Sequence, residues 1–325
     1  MKILRKRSAS SLFLLFILCS LLFVILNIQI VRTQLTYNTA TIRADGTVDP
    51  DTAPIQRVGD VYTLTGDMDS IRVERNDMIF DGKGHTLTGE GMTIAVYVGS
   101  SNVTIKNLIL KDCYGMGIFL ASSSSNVTIS GNTMTGVNVP VPELQATGAI
   151  YVWAGSSHII SGNHLENNMG GIYLGYETTD NIIVENNITN NIHGIQFWEA
   201  SGNTFYHNRV INNTVQVFDA GVVSPDYASP SVNNWDNGTT GNYWSNYNGT
   251  DNNRDGIGDT PYIINDYNQD NYPFMNPDMI LLSSDTTPPF PLTLIVATIV
   301  ITAVVAATLL VYFRKIRKPT GEAEK

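Results

Sequence analysis

Only two of the 325 residues are cysteine, and they cannot pair within an exported domain, because Cys19 sits inside a long apolar run and Cys113 stands alone in the rest of the chain. A disulfide framework is therefore excluded, and packing and hydrogen bonding must carry the stability. Positive charge is equally scarce. Residues 33 to 290 hold 9 Lys and Arg against 27 Asp and Glu, a net charge of −18. That excludes a nucleic-acid-binding surface, which needs a basic face. Residues 113 to 224 contain no Lys and a single Arg, Arg209. Helical periodicity is also missing from the short apolar phrases of the middle of the chain.

What fills that middle is a repeat. Ser101-Asn-Val-Thr-Ile105, Ser125-Asn-Val-Thr-Ile129, Ile159-Ile-Ser-Gly-Asn163, Ile182-Ile-Val-Glu-Asn186 and Thr204-Phe-Tyr-His-Asn208 align, with asparagines in column at Asn132, Asn163, Asn186 and Asn208, spaced 31, 23 and 22 residues apart. A second ladder runs through Asn167/Asn168, Asn190/Asn191 and Asn212/Asn213, and Gly117-Ile118, Gly171-Ile172 and Gly194-Ile195 open the strand that follows. Apolar and polar residues alternate within each phrase, so one side chain in two points inward. A fixed period of this size with one supersecondary unit per repeat marks a solenoid. The fold class expected is all-β: a right-handed parallel β-helix with stacked asparagines at its corners, where that residue tolerates left-handed turns. Six coils would rise roughly 29 Å at about 4.8 Å each. The 31-residue coil carries an extra loop from Val137 to Thr147.

The ends differ in composition. Leu12 to Val31 is apolar behind Lys2, Arg5, Lys6 and Arg7, and Leu292 to Phe313 is apolar ahead of Arg314, Lys315, Arg317 and Lys318. Both are long enough to cross a bilayer, and their outer basic flanks place both termini on the cytoplasmic side if the first span stays uncleaved. The organisation expected is a basic end with signal peptide or anchor over 1–32, an N-terminal cap over 33–75, coils over 76–224, a C-terminal cap over 225–275, a Pro-rich stalk over 276–291, a transmembrane helix over 292–313 and a cytoplasmic tail over 314–325.

The cap region contains Gly241-Asn-Tyr-Trp-Ser-Asn-Tyr247, Asp255-Gly-Ile-Gly-Asp-Thr-Pro-Tyr262 and Gln269-Asp-Asn-Tyr-Pro-Phe-Met275. With the repeats ahead of them, these phrases resemble the NosD-like β-helix proteins of microbial envelopes over about residues 41 to 275. The resemblance implies the solenoid and an exported location. It also raises copper, since founding members are linked to assembly of the copper site of nitrous oxide reductase. A copper site needs His, Met or Cys converging. In the coil alignment His164 stacks on Asn187, His193 on Gly170 and His207 on Glu185, so no two histidines share a column and copper finds no converging set.

Calcium has more in its favour. Asp251, Asn253, Asp255 and Asp259 fall at positions 1, 3, 5 and 9 of a loop, with Gly256 at 6 and the carbonyl of Ile257 at 7, the spacing of an oxygen-rich Ca²⁺ loop. Position 12 is Tyr262 rather than a bidentate Glu. The alternative is a cluster of tight turns.

A ligand face is expected on the outer side of the third strand. Setting Ile94, Ile118, Ile150, Ile172, Ile195 and Val215 inward turns Phe119, Tyr151, Tyr173 and Gln196 outward in one row and Trp153, Gly175, Trp198 and Phe218 in the next, with Tyr176 close by. Glu199 and Asp219 then share a column at the edge of this ribbon, with Glu177 close by. Rings beside carboxylates suit a polysaccharide, since sugar C–H faces stack on aromatics and hydroxyls bond to acids. If the chain is an enzyme, Glu199 and Asp219 are the candidate pair, about 5 Å apart as in a retaining glycosidase. Against catalysis, polysaccharide lyases need a Lys or Arg base and the coils from 113 to 224 offer only Arg209, and the paired-aspartate phrases of pectin hydrolases are missing. Three readings stay open: a carbohydrate-binding or surface-interaction protein at the membrane, a lyase or hydrolase, and a copper-site maturation factor. Six Asn-x-Ser/Thr sequons occur, at Asn102, Asn126, Asn187, Asn212, Asn237 and Asn248; Asn102 and Asn126 share a crowded corner, and Asn237 and Asn248 in the cap are the glycosylation candidates.

Overall fold

The computed structural model describes residues 38–90, 93–138 and 147–280. Both long apolar runs, most of the stalk and the middle of the Val137 to Thr147 loop lie outside these residues. No helix among the described residues is long and apolar enough to cross a membrane.

Each phrase forms a short strand because its apolar residues recur every second position, and the burial follows suit. Met134 is buried between half-buried Thr133 and Thr135, and Leu165 between half-buried His164 and Glu166. Three parallel sheets result, wound into a right-handed solenoid of about six turns. Sheet A runs from Thr39–Ile42 through Ser70–Val73, Ile94–Val98, Met116–Leu120, Ile150–Val152, Gly170–Leu174 and His193–Phe197 to Val215–Asp219. Sheet B includes Met78–Asp81, Val103–Lys106, Thr128–Ser130, Ile159–Ser161, Ile182–Val184 and Thr204–Tyr206. Sheet C includes Ile109–Lys111, Thr133–Thr135, His164–Glu166, Asn187–Thr189 and Arg209–Ile211. Inside, like stacks on like: Ile118, Ile150, Ile172 and Ile195 from sheet A face Ile129, Ile160 and Ile183 from sheet B, all fully buried. Burying each such side chain contributes about 1.5–3 kcal/mol.

The asparagine columns are hydrogen-bonded chains. Along Asn132, Asn163, Asn186, Asn208 and Asn242, both the backbone N–H and Nδ2 of each member donate to Oδ1 of the next at 2.9–3.0 Å. Nδ2 donates as well to a carbonyl one coil away, as from Asn186 to Ile160 at 2.8 Å. A second column joins Asn168, Asn191 and Asn213. A third, not expected from the sequence, runs through His158, Asn181, Asn203, Asn233 and Asn268. Within the regular coils the left-handed residue is the one before the column asparagine rather than the asparagine itself: Gly162, Glu185 and His207 precede Asn163, Asn186 and Asn208 at φ 62°, 59° and 57°. Buried backbone donors at the corners, which a sheet ladder cannot reach, thus find partners in side chains.

The coils extend past both expected boundaries. Thr39–Ile42 and Ser70–Val73 pair in parallel with each other, and Val61–Leu64 pairs in parallel with Met78–Asp81, so much of 33–75 is coil; only Val48–Asp49 and Ile55–Val58 pair antiparallel, as edge cover. At the other end Tyr243–Trp244 adds a parallel strand to sheet C, and Asn233 and Asn242 carry two columns into 225–275. Trp235 and Trp244 close the core there, Trp235 stacking on Phe205 at 4.4 Å.

A candidate ligand-binding groove

The outer face of sheet A carries a continuous row of rings, because a parallel register places equivalent outward residues one above the other. Arg72 lies over Tyr97 at 3.9 Å, Tyr97 stacks on Phe119 at 5.7 Å, Phe119 meets Tyr151 at 5.5 Å and Tyr151 stacks on Tyr173 at 4.3 Å. Gln196 and then Phe218 complete the row. This corrects the expected register at both ends. Val96, not Ile94, pairs with Ile118, and Val217, not Val215, pairs with Ile195. Both slips are of two residues. They move Tyr97 and Phe218 into the first row, beside Phe119 and Gln196.

The slip separates the expected carboxylate pair. Asp219 pairs with Phe197 and points inward. It is buried, it caps the short helix Ala220–Val223 by accepting from Gly221 N–H at 3.0 Å, and it accepts from Ser231 N–H at 2.8 Å. Burial pushes its carboxyl above the ordinary value. Glu199 accepts from Ser229 N–H at 2.8 Å. The neighbour of Glu199 on its corner is Glu177, whose N–H donates to the Glu199 carbonyl at 3.3 Å.

Ring exposure divides the candidates. Tyr151 and Tyr173 are 4% and 5% exposed and spend their faces on each other, so they cannot serve as a sugar platform. Trp153 and Tyr176 at 45%, and Trp198 at 39%, are open. Gly175 stands between Trp153 and Trp198 in the second outer row, and the Trp153 ring leans over it, 3.1 Å from where a β-carbon would be. Replacement of an aromatic by Gln196 breaks the ladder and opens a groove of about 200 Å³, floored by Tyr173, Gln196 and Phe218 and walled by Trp198, Ser224 and Tyr227. Gln196 is held in place by donating Nε2 to the Thr147 carbonyl at 2.9 Å.

Sequence reasoning missed several of these residues. Tyr227 is the most exposed wall residue, in a segment with no repeat register to place it. His193 projects on the same outer side, its ring 5.1 Å from that of Phe218 and its Nδ1 buried without a partner. Burial lowers its pKa.

The acidic loop does not gather its oxygens. Asp251 accepts from the N–H groups of Asp255 and Gly256, Asp255 from Ile257 N–H and Asn253 Nδ2, and Asp259 from Asn252. These are Asx-type turn bonds, so the calcium expectation for Asp251, Asn253, Asp255, Ile257 and Asp259 gains no support from the geometry. Among the described residues no three His, Cys, Asp or Glu side chains lie together as a metal would need. The histidines stand apart: His85 beside Asp67, His164 beside Glu166, His193 on Phe218, His207 on Thr240 and His158 in its column. No copper site built on converging histidines is therefore seen among these residues. The sequon asparagines Asn102 and Asn126 are tied in an exposed ladder, Asn126 Nδ2 to Asn102 and Asn102 Nδ2 to Asp77. Asn237 uses Oδ1 to accept from Thr239 and Thr240, and both it and Asn248 are exposed.

A family model described as periplasmic copper-binding protein (NosD) matches residues 55–249. The probable ABC transporter binding protein NosD of Stutzerimonas stutzeri is 31% identical over 134 residues, which cover 41% of this chain and 24% of that relative. The match thus spans about a quarter of the relative's length. A crystal structure of the periplasmic alginate epimerase AlgG, a double mutant, aligns over 49% of this chain and 60% of its own at 14% identity, with a TM-score of 0.22.

Proposed function

Since the chain belongs to the NosD family, we propose that it is an extracytoplasmic β-helix protein of the cell envelope that binds a glycan in the groove on the outer face of sheet A. The observation that carries this reading is Trp198, an indole left 39% exposed at the mouth of a groove whose floor is aromatic. Trp153, Tyr176 and Tyr227 are exposed as well. Large rings are costly to leave in water, and an exposed aromatic patch beside fixed polar groups marks an interaction surface. Sugar rings offer flat C–H faces to stack on indoles, while Gln196 and Ser224 supply neutral hydrogen-bonding groups for hydroxyls. The family's periplasmic description supports the exported location, and the apolar runs at Leu12 to Val31 and Leu292 to Phe313 support anchoring at both ends. Protease added to intact cells should then remove the solenoid and leave the terminal segments protected.

The test of glycan binding uses the purified protein on an array of wall and exopolysaccharide oligosaccharides. Trp198→Ala should weaken binding about five- to tenfold, the loss of one stacked ring at about 1–1.5 kcal/mol, with the melting temperature nearly unchanged. Equal binding by wild type and variant would remove the groove from consideration.

A further inference from the structure

Two of the three sheets continue past the coil that ends at Asp219, and one does not. Asn234 bridges Thr204 to extend sheet B, and Tyr243–Trp244 extends sheet C, with Phe274 bridging Tyr243 one rung higher. Sheet A stops. Its last strand, Val215–Asp219, pairs with His193–Phe197 on one side and, among the described residues, with nothing on the other. The reason lies in the repeat. Asn242-Tyr-Trp-Ser-Asn-Tyr247 takes the place of Asn208-Arg-Val-Ile-Asn-Asn213, so Tyr247 stands where the second column needs its next asparagine. The chain turns back there instead of crossing to sheet A, the Tyr247 N–H donating to the Trp244 carbonyl at 3.0 Å and its hydroxyl to the Thr260 carbonyl.

The space of one strand is left open. A cavity of about 420 Å³ is lined by Asn213, Gln216 and Val217 of the last coil and by Ser245, Asn246 and Tyr262 of the segment beyond it. The second asparagine column ends there short of a partner. Asn168 and Asn191 each donate their backbone N–H to Oδ1 of the next member at 2.9 Å, whereas the N–H of the buried Asn213 donates to nothing among the described residues. In the other two columns the equivalent N–H groups of Asn203 and Asn208 are taken up by Asn233 and Asn242.

An open strand edge and an orphan corner N–H are satisfied together by one kind of ligand, a polypeptide in extended conformation. Its backbone completes the ladder, and an asparagine or aspartate at its first position accepts from Asn213. A folded sheet edge from a second copy fits less well. Sheet C rises two rungs beyond the open strand, roughly 10 Å at about 4.8 Å each, and such an edge would meet that wall first. Charge then selects among peptides. Residues 112 to 290 hold 2 Arg and no Lys against 17 Asp and Glu, a net charge of −15, which attracts a basic segment and repels an acidic one.

We propose that the open edge of Val215–Asp219 is a docking site for an extended, basic peptide segment of a partner protein, which joins sheet A as its next strand. This site is separate from the glycan groove. The two cavities share no lining residue, so either can fail without the other.

The probe is a synthetic peptide that repeats the chain's own preceding rung, Asn191 to Trp198, with three lysines appended. Fluorescence anisotropy measures its affinity for the full-length protein, and hydrogen exchange follows the amides of residues 215–219. The peptide should bind saturably and slow exchange at that strand. Leucine in place of its first asparagine should weaken binding about tenfold, by stranding the Asn213 N–H, and glutamates in place of the lysines should weaken it several-fold. Because alternate amides of a strand point to opposite sides, N-methylation of one alternate set should abolish binding and of the other set should not. Val217→Lys and Thr214→Trp, each obstructing the cavity, should weaken binding at least tenfold; Thr214 is exposed and serves where Val217→Lys fails to fold. No binding, or binding that survives both methylated sets or the Thr214 variant, overturns the proposal. Strand amides already fully protected in the free protein would overturn it too, since the slot would then be filled by the chain's own segment or, if protection is lost on dilution, by a second copy.

Discussion

His158→Asn should make the protein less sensitive to acid. His158 is fully buried in the third column, where every other member is asparagine. Its Nδ1 accepts from Val127 N–H at 3.1 Å, as an asparagine Oδ1 would, and its own N–H donates to Asn181 Oδ1 at 2.8 Å. An accepting Nδ1 puts the proton on Nε2, so the ring is neutral, and Nε2 finds no partner. Gly155 makes room for the ring, with only 2.7 Å between Nε2 and the place of a β-carbon. Burial pushes the pKa from 6.5 down to about 4.

Below pH 6.5 the unfolded chain takes up a proton that the folded chain refuses, so stability falls with pH until about pH 4, where the native ring protonates too. At 1.36 kcal/mol per unit the loss comes to about 3 kcal/mol. Other groups titrate in the same range: burial lowers His193 and His207 as well, and raises Asp219 and Asp270 with the opposite effect. The difference between wild type and His158→Asn cancels all of these. Denaturant unfolding from pH 7 to pH 4 should therefore show the variant gaining about 3 kcal/mol on wild type, whatever offset the smaller side chain introduces at neutral pH. Parallel stability curves across that range would refute the assignment of a neutral, column-forming imidazole.

Asp270 tests the reverse sign. Its carboxylate is fully buried and accepts from Trp244 Nε1, Asn242 N–H and Tyr272 N–H, yet burial dominates and raises its pKa to about 6. Its contribution is fully present below the ordinary value of 3.8 and is lost as pH rises from there through about 6, so Asp270→Asn should gain up to about 3 kcal/mol on wild type between pH 4 and pH 7.5 in denaturant melts; a variant that loses ground with rising pH would show the donors outweighing burial. For the acidic loop, turn bonds predict that wild type melts at the same temperature in calcium and in chelator, and that Asp255→Ala lowers the melting temperature equally in both; stabilisation of wild type by calcium alone would restore the metal reading.

How far the sequence could be read depended on whether a mistake would show. The solenoid was legible because its asparagines repeat at corresponding corners and its apolar residues alternate. The register of sheet A was not, at two coils. In Val215-Gln-Val217 either valine can face inward, and a slip of two residues preserves the alternation of inward and outward positions. Only the pairing of Val217 with Ile195 decides it, and that choice carries Asp219 away from Glu199 and into the core. One residue of length hid the true neighbour: the chain passes from Gly175 through Tyr176 to Glu177 but from Trp198 directly to Glu199, so strand alignment set the two glutamates off column. The third column left a signal that went unused, since Asp180-Asn181 and Gly202-Asn203 repeat the pairing of a left-handed residue with an asparagine seen at Gly162-Asn163.

The change in composition after residue 224 looked like the start of a separate cap, yet the first column crosses it through Asn242 and stops at Asp270. The stop has a chemical reason. Each asparagine passes the chain on because it both accepts from one neighbour and donates to the next, whereas a carboxylate has no amide hydrogens to pass. Asp270 receives Asn242 N–H on Oδ2 at 2.7 Å, and the Trp244 indole fills the same oxygen from the side at 2.9 Å. A β-carbon on Gly241 would overlap that carboxylate, so the glycine of the Gly241-Asn-Tyr-Trp phrase is required by the acid twenty-nine positions later. The aromatic, Asn-rich phrases of this region are thus the end of the solenoid's own hydrogen-bond chain, with Trp235 and Trp244 covering the last core layer where another rung would otherwise have to follow.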